Sequence, residues 1–270
     1  MDYLSSGFTD IDHSRDSSIF TSCLTTLNSL PYFQDYKKKS FDLMNARKGC
    51  RVLEVGCGLG FDAIALARIV GSTGLVVAVD SSQTMLESAR SCAKSFGLSI
   101  DFVQGDAGHL DLADESFDCA RVDRTLQHIP DPKKVLAEMA RVTKSGGRIV
   151  AYEPDWGTFT ISSRDRQVTR KITNFWCDTF KSGWIGRYLY GHFLAIGLDR
   201  ILVYPSTLVI TDLDLAEKVF DLFKNADKAM NLGLVSSCEV AAWLKELRED
   251  NLQGRFFCSY TGFMVCGSKP

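Results

Sequence analysis

The sequence predicts an α/β fold built on a mainly parallel sheet, and three observations carry that expectation. Residues 51–60 read as a buried strand (Val52, Leu53, Val55) that breaks into a glycine turn at Gly56, Gly58 and Gly60. A helix begins at about Asp62 with Ala63-Ile-Ala-Leu-Ala-Arg68. From Arg51 onward, short apolar runs alternate with helical ones, the pattern of parallel strands joined by crossover helices. With 270 residues, 45% of them hydrophobic, the chain has core enough for one large domain.

Taken in order, residues 1–18 are Ser/Asp-rich and expected to be mobile, and helices follow over 19–30 and from Pro31 to about Ala46. Strands are expected over 51–55, 74–80, 100–104, 117–122 and 148–153. Helices fall between them over 62–70, 83–96 and 133–142, with at most one turn over 107–110. Ser145-Gly-Gly147 is the turn before the fifth strand. Residues 156–195 break the rhythm with a concentration of aromatics: Trp156, Phe159, Phe175, Trp176, Phe180, Trp184, Tyr188, Tyr190 and Phe193. A sixth strand is expected over 198–211, interrupted by Pro205, then helices over 213–230 and 236–248, and a last strand over 256–268. The resulting division is N-terminal helices over 1–46, a binding core over 47–155, an aromatic-rich cap over 156–197 and completion of the sheet over 198–270.

Composition narrows the function. The net charge is −2 and there is no arginine-rich stripe, so a phosphate-tracking nucleic-acid surface is not indicated. Lys37-Lys38-Lys39 reads as a solvated helix face. Residues 1–16 are polar and acidic, unlike a secretory leader, and no apolar stretch reaches the roughly 18 residues of a membrane span. The nine cysteines are scattered without C-x-x-C pairs, which suits small core residues in a reducing, cytoplasmic setting. No His/Cys cluster has metal-ligand spacing, so no metal is expected.

The glycine turn at a helix N-terminus is a nucleotide cradle, because the bare backbone approaches the ligand closely and the helix end adds partial positive charge. Phe61 stands where the dinucleotide form needs its last glycine, so a different nucleotide is implied. Glu54 lies two residues before the first glycine, where it would hold an ammonium group. Asp80 ends the second strand about twenty residues later and can accept from both ribose hydroxyls. Its alternative role is a helix N-cap before Ser81-Ser82-Gln83, a cap that Ser82 could equally supply. Met85 either covers an adenine face or belongs to the core. Gly105-Asp106-Ala107-Gly108 is a turn following the third strand.

The run Glu54-Val-Gly-Cys-Gly-Leu-Gly60 resembles the first motif of class I S-adenosylmethionine-dependent methyltransferases, and the resemblance extends from about residue 48 to 269. It implies a Rossmann-like, seven-stranded, mostly parallel sheet with helices on both faces, a last strand that makes the sheet mixed, a helical cap insertion after the fifth strand, and helices over 1–46 that close over the cofactor as a lid. It implies S-adenosylmethionine as cofactor, held by Glu54, Gly56, Cys57, Gly58, Gly60, Asp80, Ser81 and Met85. Gly105, Asp106 and Ala107 would read the adenine, with the Asp106 carboxylate on its amine. The carbonyls of Val122 and Asp123 would meet the methionine ammonium. Arg124 would steer the cofactor carboxylate or pair with a neighbouring acid. Residues 112–118, Leu-Ala-Asp-Glu-Ser-Phe-Asp, resemble a stretch of the ubiquinone- and menaquinone-type enzymes, with Leu112-Ala113 where Pro-Phe is usual.

The resemblance also supplies catalytic candidates. His128 matches a histidine near the acceptor in small-molecule O-methyltransferases, although Gln127 stands at the first position of that pair; an ordinary imidazole pKa suits a general base. Packing beneath the Pro130 turn or contacting the cofactor is its alternative role. Glu153, with Asp155 close behind, matches an acid that assists the histidine. Tyr32, Trp156, Phe159, Trp176 and Phe180 are the expected substrate-binding residues, since an aromatic wall suits a hydrophobic small molecule. The expected function is therefore methyl transfer to a small, largely hydrophobic acceptor, with oxygen slightly favoured over nitrogen or carbon. The expected state is a monomer or homo-oligomer. A macromolecular substrate and cofactor binding without turnover are the alternatives.

Overall fold

A computed structural model describes residues 7–270. Helices α1 (Ser18–Ser29) and α2 (Pro31–Leu43) precede an alternating series: β1 (Arg51–Val55), α3 (Phe61–Val70), β2 (Leu75–Asp80), α4 (Gln83–Ser95), β3 (Asp101–Gln104), β4 (Phe117–Asp123), α5 (Pro132–Val142) and β5 (Thr143–Ile161). Then come α6 (Arg166–Asp178), α7 (Ile185–Ala195), β6 (Asp199–Ile210), α8 (Leu213–Phe220), α9 (Leu222–Asn231), α10 (Ser237–Leu252) and β7 (Cys258–Ser268). The seven strands form one sheet in the order β3-β2-β1-β4-β5-β7-β6. β7 runs antiparallel to both neighbours, and the other pairings are parallel.

Alternating strand residues explain why helices cover both faces. Val52, Val76, Cys119 and Val150 pack on one side with α3 and the N-terminal helices. Leu53, Val77, Ala120 and Ile149 pack on the other with α5 and α7. The chain order reverses between β1 and β4, so the carboxyl ends of those strands open on the crevice where open α/β sheets bind ligands.

Several sequence expectations change. The strand β5 continues to Ile161, re-pairing with β7 after a register shift between Asp155 and Thr160. Trp156 and Phe159 are therefore strand residues, and the expected boundary between core and cap at 155/156 falls inside a strand. Pro205 does not interrupt β6, because an edge strand tolerates a residue without a backbone donor. The helix expected over 213–230 is two helices, broken where Asp221 takes φ 49°. Residues 107–110 form no helix; Asp106 and His109 make an isolated bridge instead. The expectation of mobility over 1–18 lies in part outside the described residues. Within them, the Phe8 ring packs 4.9 Å from that of Phe20.

Candidate active site

A cavity of about 760 Å³ lies at the carboxyl ends of β1, β2 and β4. Its first half is the nucleotide end, lined by Gly56, Gly58, Asp80, Ser81, Met85, Gly105, Asp106 and Ala107. Gly56 and Gly58 take φ 71° and 51°, a region that side-chain-bearing residues rarely adopt. The amides of Gly56 and Cys57 both donate to the Val79 carbonyl, which fixes the turn against β2. Asp80 then clamps it: its carboxylate accepts from the Gly58 amide at 2.8 Å and the Ser82 amide at 3.0 Å. Burial raises the Asp80 pKa, opposed by these amides. Each oxygen keeps acceptor capacity for a further donor. Ser82, not Asp80, caps α4, accepting from the Met85 amide at 3.2 Å.

Asp12, which the sequence did not single out, closes this end. Its carboxylate accepts from the Ser82 hydroxyl at 2.6 Å and from the amides of Gln83 and Thr84 at 2.8 and 3.1 Å. Partial burial opposes ionisation, but these donors prevail and hold the Asp12 pKa down to about 2. The latch lays Phe8, Thr9 and Ile11 along the cavity wall. Asp12→Ala is expected to weaken S-adenosylhomocysteine binding about fivefold, the size of one lost helix cap, as read by calorimetry. Unchanged affinity would show that this segment does not close on the nucleotide end.

The second half is aromatic. Trp156, Trp176 and Phe180 line it together with Phe220 and Tyr260, two residues the sequence pattern did not mark. Trp156 stacks on Phe180 at 4.9 Å and lies 4.8 Å from Tyr260. Its indole N–H donates to Gln127 at 2.7 Å, so the ring is fixed in place. His128 sits in a single 3-10 turn, Leu126–His128, between the rings of Phe8 and Phe180 at 5.3 and 5.6 Å, and lines the cavity. Phe159 does not line it; it packs behind, 4.8 Å from Phe220. Tyr32 is also absent from the wall. Its hydroxyl bonds that of Tyr152 at 2.6 Å and donates to the Ser206 carbonyl at 2.9 Å, tying α2 to the sheet.

The acids expected to act directly are engaged elsewhere. The Glu153 carboxylate is fully buried and accepts from the amides of Leu126, Thr125 and Gln127 at 2.6, 2.8 and 3.3 Å. Burial pushes its pKa up to about 8, against these donors. It fixes the turn that carries His128 and does not face the cavity, so it is a positioning residue and not an acid touching substrate. Asp155 is held by Arg187 through two bonds of 2.6 and 2.7 Å.

Glu54 is corrected in the same way. Its side chain is 2% exposed and bonds Arg121 Nη1 at 2.5 Å, outside the cavity wall. Arg121 is fully buried and also bonds Asp62 at 3.0 Å, Asp123 at 2.7 Å and the Ser40 hydroxyl at 2.8 Å. Lys37 reaches Asp62 at 3.0 Å. Burial pushes the Glu54 pKa up against the attraction of Arg121. The signal for this cluster was Arg121 itself, a charge inside the apolar strand β4, since a buried charge must be paired. Asp123 lines both the main cavity and a small adjoining one that includes Cys57 and Asp62. Val122 is core, and Gly60 serves packing: a side chain there would meet Ala89 at 2.9 Å. Arg124 lines both cavities, its guanidinium 5.0 Å from the centre of the Phe33 ring.

The residues present suit an S-adenosyl nucleotide. Gly56 and Gly58 bring bare backbone to the cavity wall, Asp80 offers acceptors for ribose hydroxyls, and Asp106 and Ala107 follow on the next strand end. A sheet of this order with an antiparallel seventh strand, carrying those groups at its switch point, defines the class I S-adenosylmethionine-dependent methyltransferases. The chain belongs to that class: residues 46–181 match the family described as a methyltransferase domain. It is 38% identical over 233 residues to an uncharacterized 37.1 kDa protein in transposon TN4556 of Streptomyces fradiae, covering 86% of this chain and 66% of that one. It is 39% identical over 130 residues to a demethylmenaquinone methyltransferase of Bacillus licheniformis, covering 47% and 56%. The chain thus spans about half to two thirds of the length of these relatives. In fold it is similar to the YcgJ protein of Bacillus subtilis, with a TM-score of 0.63 at 20% identity, over 87% of this chain and 98% of that one. No helix among the described residues is long and apolar enough to cross a membrane.

Proposed function

We propose that the protein transfers the methyl group of S-adenosylmethionine to a small, largely hydrophobic acceptor, with oxygen the favoured nucleophile. The observation that carries this reading is one continuous cavity with Gly58, Asp80 and Asp106 at one end, Trp156, Trp176 and Phe180 at the other, and His128 in its wall. When bound, the cofactor supplies an electrophilic methyl on a sulfonium, so the chain's task is to orient the acceptor and keep water out. Asp80 holds the ribose and the Gly56–Gly58 turn admits the backbone-side contacts. Asp106 and Ala107 hold the adenine against Met85. Arg121, Glu54, Asp62 and Asp123 do not touch the acceptor; three carboxylates share two cations, Arg121 and Lys37, behind the turn. The aromatic walls exclude water around the acceptor, and His128 takes the proton of its hydroxyl. The size of the enclosed space favours a small molecule over a macromolecule.

The direct test incubates the protein with S-adenosylmethionine and a small-molecule extract of its source cells, followed by mass comparison. S-adenosylhomocysteine together with a species heavier by one methyl is the expected result. With that acceptor in hand, His128→Ala is expected to lower turnover roughly 10²- to 10⁴-fold while leaving S-adenosylhomocysteine affinity unchanged. Intact turnover would remove the base and leave orientation alone as the mechanism.

A further inference from the structure

The polar groups of the aromatic half are lopsided. Among the described residues, the Trp176 indole Nε1 is buried in the wall without a hydrogen-bond partner, on a side chain only 3% exposed. A buried donor left unmatched is uncommon and marks a place where a ligand acceptor would be favoured. The second group is Arg124, which lines this cavity and also the adjoining one beside the glycine turn. Its guanidinium forms no hydrogen bond or ion pair within the described residues, and it rests on Phe33. Asp123 attracts it through space but makes no bond to it: that carboxylate bonds Arg121 at 2.7 Å and accepts from the Tyr36 hydroxyl at 3.1 Å. His128 and Lys181, the latter at the exposed rim, are the remaining nitrogen-bearing groups of this half beyond the fixed Trp156 and Gln127. The carboxylates Asp80 and Asp106 lie at the nucleotide end.

A wall whose cation is a guanidinium bonded to no carboxylate, beside a buried N–H and with Asp123 already bonded to Arg121, disfavours an ammonium-bearing acceptor despite the attraction of the rings for cations. It would leave donors unpaired with a pure hydrocarbon. Resting on the methyltransferase reading above, we propose that the acceptor molecule is an apolar, ring-bearing carboxylate, anchored by Arg124 with the Trp176 N–H as a second donor. Arg suits this task because its planar fork matches a carboxylate and stays charged at every working pH. Anchoring there leaves the rest of the molecule between Trp156 and Phe180, beside His128. Arg124 and Trp176 are thus specificity residues for the acceptor, and Arg124 moves from the cofactor's contacts to the acceptor's.

The experiment uses the full chain saturated with S-adenosylhomocysteine and three probes of one shape: 2-naphthoate, 2-naphthamide and 2-naphthylmethylammonium, each titrated by calorimetry. The expected result is that naphthoate binds roughly tenfold or more tightly than the amide, as suits a hydrogen-bonded charge, with the ammonium weakest. Arg124→Met should bring naphthoate and amide within about twofold of each other, and Trp176→Phe should reduce the preference less, with S-adenosylhomocysteine affinity retained in both. Equal affinities for the three probes, a preference for the ammonium, or no measurable naphthoate binding would overturn the proposal, and this comparison needs only the unaltered chain. It would also be overturned if Arg124→Met lost S-adenosylhomocysteine affinity and kept the acid preference, which would assign the guanidinium to the cofactor's own carboxylate. The cofactor reading fails separately: it falls if the unaltered chain does not bind S-adenosylhomocysteine.

Discussion

Replacing Asp80 with alanine should weaken S-adenosylhomocysteine binding about a hundredfold or more. Two effects add. In the proposed binding mode the carboxylate accepts from the ribose hydroxyls, and hydrogen bonds to a charged group contribute about 1.5–3 kcal/mol each. Two such bonds correspond to at least about a hundredfold in affinity. The same carboxylate clamps the Gly58 and Ser82 amides, so its loss also loosens the turn on which the nucleotide rests. Asp80→Asn, which keeps one acceptor oxygen, should fall between. Calorimetric titration with S-adenosylhomocysteine measures all three, and an affinity within threefold of the unaltered chain in Asp80→Ala would sink the ribose assignment.

Replacing Arg121 with methionine should destabilise the fold more than any change in the cavity wall. The variant leaves Glu54, Asp62 and Asp123 close together in a buried site with Lys37 as the remaining partner. Removing one partner of a buried ion pair costs about 3–5 kcal/mol, because the survivors keep their desolvation penalty without compensation. For a chain of this size that corresponds to a Tm lower by about 10 °C. Thermal unfolding followed by circular dichroism reads the shift, and a change below two degrees would show that the cluster carries little stability. Glu54→Gln separates stability from binding. It keeps an oxygen towards Arg121, so S-adenosylhomocysteine affinity should change by less than about threefold. A tenfold loss would instead return Glu54 to the ammonium role that its place before the glycine turn suggests.

The contrast between Glu54 and Asp80 shows why some site residues were legible and others were not. Asp80 is recognisable because its role follows from backbone order: an acid at the end of β2, beside a glycine turn at the end of β1, must lie where those two parallel strands finish together. Glu54 sits one position inside β1, and its contacts depend on what the neighbouring strand presents. The register sets Glu54 opposite Arg121, and an opposite charge within bonding distance in a buried layer engages its carboxylate strongly. Glu153 changed role for a related reason. It ends no strand: β5 runs past it, and its carboxylate turns onto the amides after β4. Asp12 was invisible because it lies about seventy residues from the helix it caps, in a segment whose composition reads as a loop.

By itself the sequence determined the alternation of strands and helices, the crossover topology that follows from it, the glycine turn and the two strand-end acids, Asp80 and Asp106, that line the cavity with it. These depend on periodicity, on backbone conformation and on position along a strand, all of which are local. The tertiary structure alone decided that Phe220 and Tyr260 complete the aromatic box, that Tyr32 and Phe159 stand behind it, and that Arg121 takes the carboxylate of Glu54. It also decided that the Trp176 N–H and the Arg124 guanidinium share one cavity. Those facts concern which side chains meet across the sheet, and packing and charge pairing between distant segments are settled only when the strands take their register.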